Sequence, residues 1–329
     1  MKKLTGFIML AAITATFIMG CSSSSGDSDD DLPAVSKVQV LNAKADSDFA
    51  TTGGLKVALI ALDDSQNSIV SDGIDVTATA TSRTAVALTT SKIETKEATD
   101  SSLPWSMAID LDSSGSMSWT DANRLRVTAA KNYVDLILKN NAKSQLAVYD
   151  FGSGSTTGFT KTRLLQDYTS DKTLLAAGID KCTDDGNTPL YESIYELLED
   201  INVKVKASSY QRAIMLLSDG GDNDSTHTDA ETYALATKYG IPINTVALGY
   251  DSDVLKELAA NTNGVYGMAA TDADLTNVFQ SVALGSTQGY VIVSLNFPKD
   301  ALPTGDTDIT LAITSGGQTK NTTFIFSPN

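Results

Sequence analysis

Cysteine, histidine and cationic side chains are all scarce in this sequence. Its 329 residues include two cysteines, Cys21 and Cys182, and one histidine, His227. Two thiols cannot staple a chain of this length, so a disulfide scaffold is excluded. A single imidazole excludes multi-histidine metal centres and leaves a Ser-His-Asp triad only one candidate base. Lysine and arginine number 24 against 40 acidic residues, a formal charge of −16. Such a surface repels a phosphate backbone and favours cations or basic patches, so no nucleic-acid partner is expected. The apolar content of 42% argues against disorder for most of the chain. The length allows about two domains, each with its own core.

The first 20 residues read as a removable leader. Met1-Lys2-Lys3 is a positive start, and Leu4 to Met19 is almost uncharged. That stretch of about 16 residues is short of the roughly 20 a membrane span needs. Ile18-Met19-Gly20-Cys21 follows, a small residue directly before a cysteine. This resembles the bacterial lipoprotein cleavage box. The resemblance implies cleavage before Cys21 and lipidation of its thiol. Residues 21–34 then read as a flexible acidic tether. The implied location is the cell envelope, lipid-anchored, and the outer membrane in a Gram-negative cell. Cys182 is left without an intramolecular partner and reads as a buried structural thiol.

Three blocks follow. Residues 35–100 read as strands, with Leu55 to Leu62 and Ile74 to Thr79 the clearest and no helical period. In 101–285, short apolar runs alternate with helical patterns. The runs are Met107–Leu111, Gln145–Tyr149, Ile214–Leu217 and Ile243–Leu248; the helical patterns are 121–138 and 189–203. Thr228 to Glu231 is a capping box, and Gly240 ends the helix it opens. Alternation of this kind predicts an α/β, doubly wound, mainly parallel sheet. Residues 286–329 return to strands around a Ser315-Gly316-Gly317-Gln318 hairpin turn. Three strands are a poor domain. The flanking blocks are therefore expected to form one β-sandwich, split by the α/β unit.

Ligands on parallel sheets sit at the carboxyl ends of the strands. There the sequence places Asp112-Ser113-Ser114-Gly115-Ser116-Met117, in which Asp112, Ser114 and Ser116 offer a carboxylate and two hydroxyls at alternate positions. Gly186-Asn187-Thr188-Pro189 opens a helix, and Leu216-Leu217-Ser218-Asp219-Gly220 ends another strand with a carboxylate. These are hard oxygens, suited to Mg²⁺, Mn²⁺ or Ca²⁺, with Mg²⁺ foremost. The bland reading remains open at this point: Asp112, Ser114 and Ser116 could cap a helix, Thr188 could cap the next, and Asp219-Gly220 could be a turn.

The pattern of Asp112, Ser114 and Ser116, then Thr188, then Asp219 resembles the von Willebrand factor type A family. It matches that family's metal-ion-dependent adhesion site, and the resemblance covers about 101–285. It implies a Rossmann-like fold, a divalent cation on those five residues, and a protein or matrix ligand that gives an acidic residue to the metal. Asp110 departs from the family, which is more often apolar there. It is a candidate to support a ligating hydroxyl from behind, to add negative charge to the site, or to pair with a nearby base.

Other signals read as structural. Asp222 to Ser225 is expected to be a solvated acidic loop, His227 a solvent-facing neighbour of a cap, and Gly152 to Gly158 a flexible loop without the lysine of a phosphate cradle. Trp119 reads as core packing more readily than as an exposed contact. No nucleophile is paired with a base, so no enzyme is expected. The sum is an adhesion or binding protein. The alternative is an envelope assembly component in which the metal stabilises the fold.

Overall fold

The computed structural model describes residues 32–82, 84–97, 103–152, 154–269 and 272–328. The leader and Cys21 lie outside them. The chain begins with β1 (Lys37–Ala45), α1 (Phe49–Thr52), β2 (Gly54–Leu62), β3 (Asp75–Thr81) and β4 (Ala85–Glu97). It continues through β5 (Trp105–Asp112), α2 (Met117–Thr120), α3 (Leu125–Asn140), β6 (Gln145–Phe151), β7 (Thr162–Thr169) and α4 (Lys172–Ile179). Next come α5 (Leu190–Lys204), β8 (Gln211–Ser218), α6 (Asp229–Tyr239), β9 (Ile243–Leu248), α7 (Asp253–Asn261), β10 (Tyr266–Ala269) and α8 (Asp272–Gln288). It ends with β11 (Gly289–Asn296), β12 (Thr307–Ser315) and β13 (Gln318–Phe326).

Strands from both ends of the chain interleave in one antiparallel seven-stranded sheet, ordered β1-β2-β11-β4-β3-β12-β13. Every other residue of β11 is buried, as expected of a strand with one face on a core. Strand β4 serves two layers: Ala85–Leu88 pair with β3, and Thr89–Glu97 pair with β11. The sheet therefore folds over a single core in which Leu55, Val57 and Val293 meet Ile309, Leu311 and Ile313. Both flanking blocks of the sequence thus contribute strands to one core. The turn at Gly316 and Gly317 has both φ angles positive, as a two-residue hairpin requires. One helix was not expected in this block. It is α1, a single turn stopped by Gly53 in the left-handed region, and its Phe49 packs edge-on against Phe297 and Phe326.

The inserted unit is a six-stranded sheet, β10-β9-β8-β5-β6-β7, parallel except for β7. Helices α3, α4 and α8 cover one face and α5, α6 and α7 the other. All eight residues of β5 are buried, as a central strand covered on both faces must be. The helix expected over 121–138 starts later, at Leu125. Asp121 stops it from extending back, because its carboxylate accepts from the backbone N–H of Leu125 (2.6 Å) and Arg126 (3.2 Å). The capping box at Thr228 and Glu231 forms as read, with Gly240 in the left-handed conformation at the other end.

Helix α8 joins the two units. It runs to Gln288, three residues past the expected boundary, and passes directly into β11 through Gly289 at φ +97°. A β-carbon at Gly289 would lie 2.5 Å from the Lys96 carbonyl. Ser68 pins this junction: its N–H donates to Gln288 Oε1 (2.7 Å) and its hydroxyl to Gly289 O (2.8 Å). Leu41, Ile60 and Leu62 of β1 and β2 share a core with Val278, Phe279 and Val282 of α8.

Candidate metal centre

The sheet order turns in opposite directions on the two sides of β5, to β6 on one and β8 on the other. That crevice is where a doubly wound sheet holds its ligands. Asp112 ends β5 at its lip and is fully buried. Its Oδ1 accepts from Ser114 N–H (2.8 Å) and its Oδ2 from the Ser218 hydroxyl (2.5 Å), across the gap between β5 and β8. The hydroxyls of Ser114 and Ser116 lie 3.0 Å apart. Asp219 follows β8 and is nearly buried; its Oδ2 accepts from Thr120 Oγ1 (2.8 Å). Burial pushes the Asp112 carboxyl up to about 6, and the charge of Asp219 adds to this.

Thr188 arrives by a different route. Gly115 N–H donates to Gly186 O (3.0 Å), which lays its loop along the serine loop. Asn223 then clasps Thr188 twice. Thr188 N–H donates to Asn223 Oδ1 (2.8 Å), and Asn223 N–H donates to Thr188 O (3.0 Å). Asp224 bonds Lys161 (2.6 Å) and Asn187. The segment expected to be a solvated acidic loop is therefore the brace of the Thr188 loop. Substituting Asn223 by alanine is expected to speed hydrogen exchange of the Thr188 amide about tenfold, the loss of roughly one net hydrogen bond. Unchanged protection would show that the clasp contributes nothing.

The structure thus brings Asp112, Ser114 and Ser116 into one hydrogen-bonded cluster. It sets Asp219 beside them through Ser218 and Thr120, and it lays the Thr188 loop against the serine loop. Pro189 precedes the first helical residue, Leu190, rather than being that residue. Among the described residues no three histidine, cysteine, aspartate or glutamate side chains group as a metal site. The set here is two carboxylates with hydroxyls, and its chemistry suits a hard divalent ion.

Asp110 turns toward α5. It is fully buried, its Oδ2 accepts from Ser193 Oγ of α5 (2.9 Å), and its Oδ1 has no partner. It meets neither a ligating hydroxyl nor a base. Burial drives its carboxyl well above the ordinary carboxylate range, with Asp150 and Asp112 adding to the rise. It ties β5 to α5 behind the site.

Ser113, absent from the expected set, organises the back of the loop. Its hydroxyl donates to Asp150 Oδ2 (2.7 Å), lies 2.9 Å from Cys182 Sγ, and accepts from Thr183 N–H (3.2 Å). Gly152 is required here, since a β-carbon would lie 2.6 Å from the carbonyls of Ser113 and Asp185. Cys182 is buried as expected, and burial raises its thiol. His227 is not simply solvent-facing. Its ring stacks on Tyr195 at 3.6 Å, with Nδ1 3.0 Å from Glu192 Oε2. That approach lacks hydrogen-bond geometry. Trp119 is 86% exposed, not packed in the core. It shares α2 with buried Met117, and residues two apart on a helix face opposite ways.

Residues 107–221 match the family model of the von Willebrand factor type A domain, a stretch that contains all five candidate ligands. The inserted unit has the fold of a von Willebrand factor type A domain. Domains of this type typically mediate protein–protein interaction or adhesion. No curated protein matches the chain.

Solved structures with related folds include proximal thread matrix protein 1 from the mussel byssus. It is 19% identical, with 62% of this chain and 51% of that one covered and a TM-score of 0.44. The von Willebrand factor domain of the type V pili tip protein Mfa5 from Porphyromonas gingivalis is 14% identical, with 55% and 94% covered and a TM-score of 0.42. A von Willebrand factor type A protein from Catenulispora acidiphila is 13% identical, with 91% and 74% covered and a TM-score of 0.42. The chain spans about half the length of the mussel protein.

Proposed function

We propose that this chain is a lipid-anchored, extracytoplasmic binding protein that grips an acidic residue of a protein or matrix ligand through a divalent cation. On this reading residues 1–20 are the leader, Cys21 carries the lipid, and 21–34 tether the domain pair to the envelope. Asp112, Ser114, Ser116, Thr188 and Asp219 hold the ion. Asp112 and Asp219 balance its two charges, and the hydroxyls leave a position for the ligand. A bound cation supplies a Lewis-acidic seat for a carboxylate that two bare aspartates would otherwise repel.

One observation supports this over the reading in which the metal only stabilises the fold. The carboxylates already have protein donors: Ser114 N–H and Ser218 Oγ on Asp112, and Thr120 Oγ1 on Asp219. Buried polar groups that are satisfied without a metal do not need one to fold. Binding rather than catalysis is supported by His227, whose ring is held against Tyr195 and Glu192 instead of beside a nucleophile.

Isothermal titration of the purified protein with Mg²⁺, Mn²⁺ and Ca²⁺ tests the proposal. Wild type is expected to bind one ion. Asp112→Ala combined with Asp219→Ala is expected to weaken binding at least 100-fold. Absence of binding by wild type, or undiminished binding by the double variant, removes its basis.

A further inference from the structure

Two exposed aromatic rings stand on the rim of the metal centre. Trp119 is 86% exposed on the single turn that follows Ser116, and Tyr250 is 53% exposed after β9. Both are anchored to the same strand-end turn. Thr120, next to Trp119, donates to Asp219 Oδ2, while Tyr250 Oη donates to Gly220 O (3.2 Å). Gly249 and Thr120 bring the two segments together, for a β-carbon at Gly249 would lie 2.9 Å from Thr120 Cγ2. The charges of Asp219 and Asp112 both act on the Tyr250 phenol. Beyond Gly220 the surface is open, with no atom within 4 Å of a β-carbon placed on Gly221.

The electrostatics decide what such a rim can take. The chain carries a net charge of −16. Asp222 follows the Gly220-Gly221 turn, and Asp251 and Asp253 follow Tyr250; the side chain of Asp253 is 88% exposed. Lys256, in the same segment, is already engaged by Asp251 and Asp253. A ligand carboxylate approaching this ground carries the same sign as most of its surroundings. An adjacent cation on the ligand removes that repulsion, and a tryptophan face is the strongest aromatic seat for one. Exposed tryptophan, tyrosine and their open surroundings are also the usual make-up of an interface anchor.

We infer that Trp119 and Tyr250 form an aromatic clamp for a basic side chain, so that the ligand is a segment with an arginine or lysine within about two residues of its metal-binding carboxylate. This rests on the proposed metal reading and names its partner class.

The test uses two fluorescein-labelled, end-blocked peptides, Gly-Glu-Gly-Arg and Gly-Glu-Gly-norleucine, read by anisotropy in saturating Mg²⁺. The arginine peptide is expected to bind wild type at least fivefold more tightly. Trp119→Leu and Tyr250→Leu are each expected to reduce that preference, and together to erase it, while Trp119→Leu leaves Mg²⁺ affinity measured without peptide unchanged. Trp119 emission should be quenched by the arginine peptide, since the other indole, Trp105, is buried. Equal affinity for the two peptides, no binding of either, or a preference that survives both substitutions overturns the clamp alone if Mg²⁺ still binds. If wild type does not bind Mg²⁺, the metal reading and the clamp fall together.

Discussion

Replacing Arg126 with methionine is expected to cost about 3–5 kcal/mol of folding stability, the usual result of stranding one member of a buried ion pair. Arg126 is fully buried in α3. One guanidinium nitrogen donates to Asp121 Oδ2 (2.6 Å), and another donates to Thr183 O (2.9 Å) and to Asp184. Methionine approximates the stem but leaves the Asp121 carboxylate buried and unpaired at the cap of α3. Adding Asp121→Asn keeps the capping oxygen and removes the charge, so the double variant should regain at least half of the loss. Equilibrium denaturation of the four proteins checks this. A single-variant loss below about 1 kcal/mol would sink the argument, being the scale of an exposed pair. The effect should also reach the metal centre. The segment that Arg126 holds supplies Asp185 N–H to Ser113 O (2.7 Å) and leads straight to Gly186, which accepts from Gly115.

The metal-free protein is expected to become more stable when acidified from pH 7 to pH 5. Asp112 is raised to about 6 in the folded chain, against its ordinary 3.8. A carboxyl raised on folding binds its proton more tightly in the native state, so stability falls as pH rises through the window from about 4 to 6. The shift corresponds to roughly 3 kcal/mol at pH 7. Other carboxylates oppose this at lower pH. Glu192 lies below its usual range: burial raises it, but the backbone N–H groups of His227 and Thr226 outweigh that. Melting temperatures at pH 5, 6 and 7 in chelator should therefore fall with pH. In saturating Mg²⁺ the slope should flatten or invert, because the ion favours the ionised carboxylate. Asp112→Asn should reduce the slope, leaving the part that buried Asp110, raised further still, contributes in the same direction. A variant with the wild-type slope would assign the effect elsewhere.

Much of this molecule was legible from side-chain chemistry alone. The β5, β6, β8 and β9 strands are continuous apolar runs because both their faces are covered, and such runs announce themselves. Asp112, Ser114 and Ser116 were readable because their spacing is local. Thr188 and Asp219 were readable because each adjoins an element with a clear start or end. What was hidden has a common cause. Strand β7 is an edge strand, half-buried along most of its length, so no strong period marks it. Asn223, Ser113 and Thr120 act through hydrogen bonds to residues 35, 37 and 99 positions away, and no local pattern records those partners. Asp110 was misplaced because its partner, Ser193, lies 83 positions away and no local pattern records it. Trp119 was misjudged because hydrophobicity alone does not say which side of a one-turn helix faces out.

The place where the chain leaves and re-enters the β unit has a mechanical consequence. Glu97 and Gly289 are register partners on neighbouring antiparallel strands, so the inserted domain hangs from two adjacent points at one end of the sheet. A tensile load on that domain is divided between β4 and β11 and directed along both. Their hydrogen bonds to β3 and β2 are then loaded side by side in shear, rather than peeled one after another. The arrangement resists rupture when the inserted unit is pulled along these two strands.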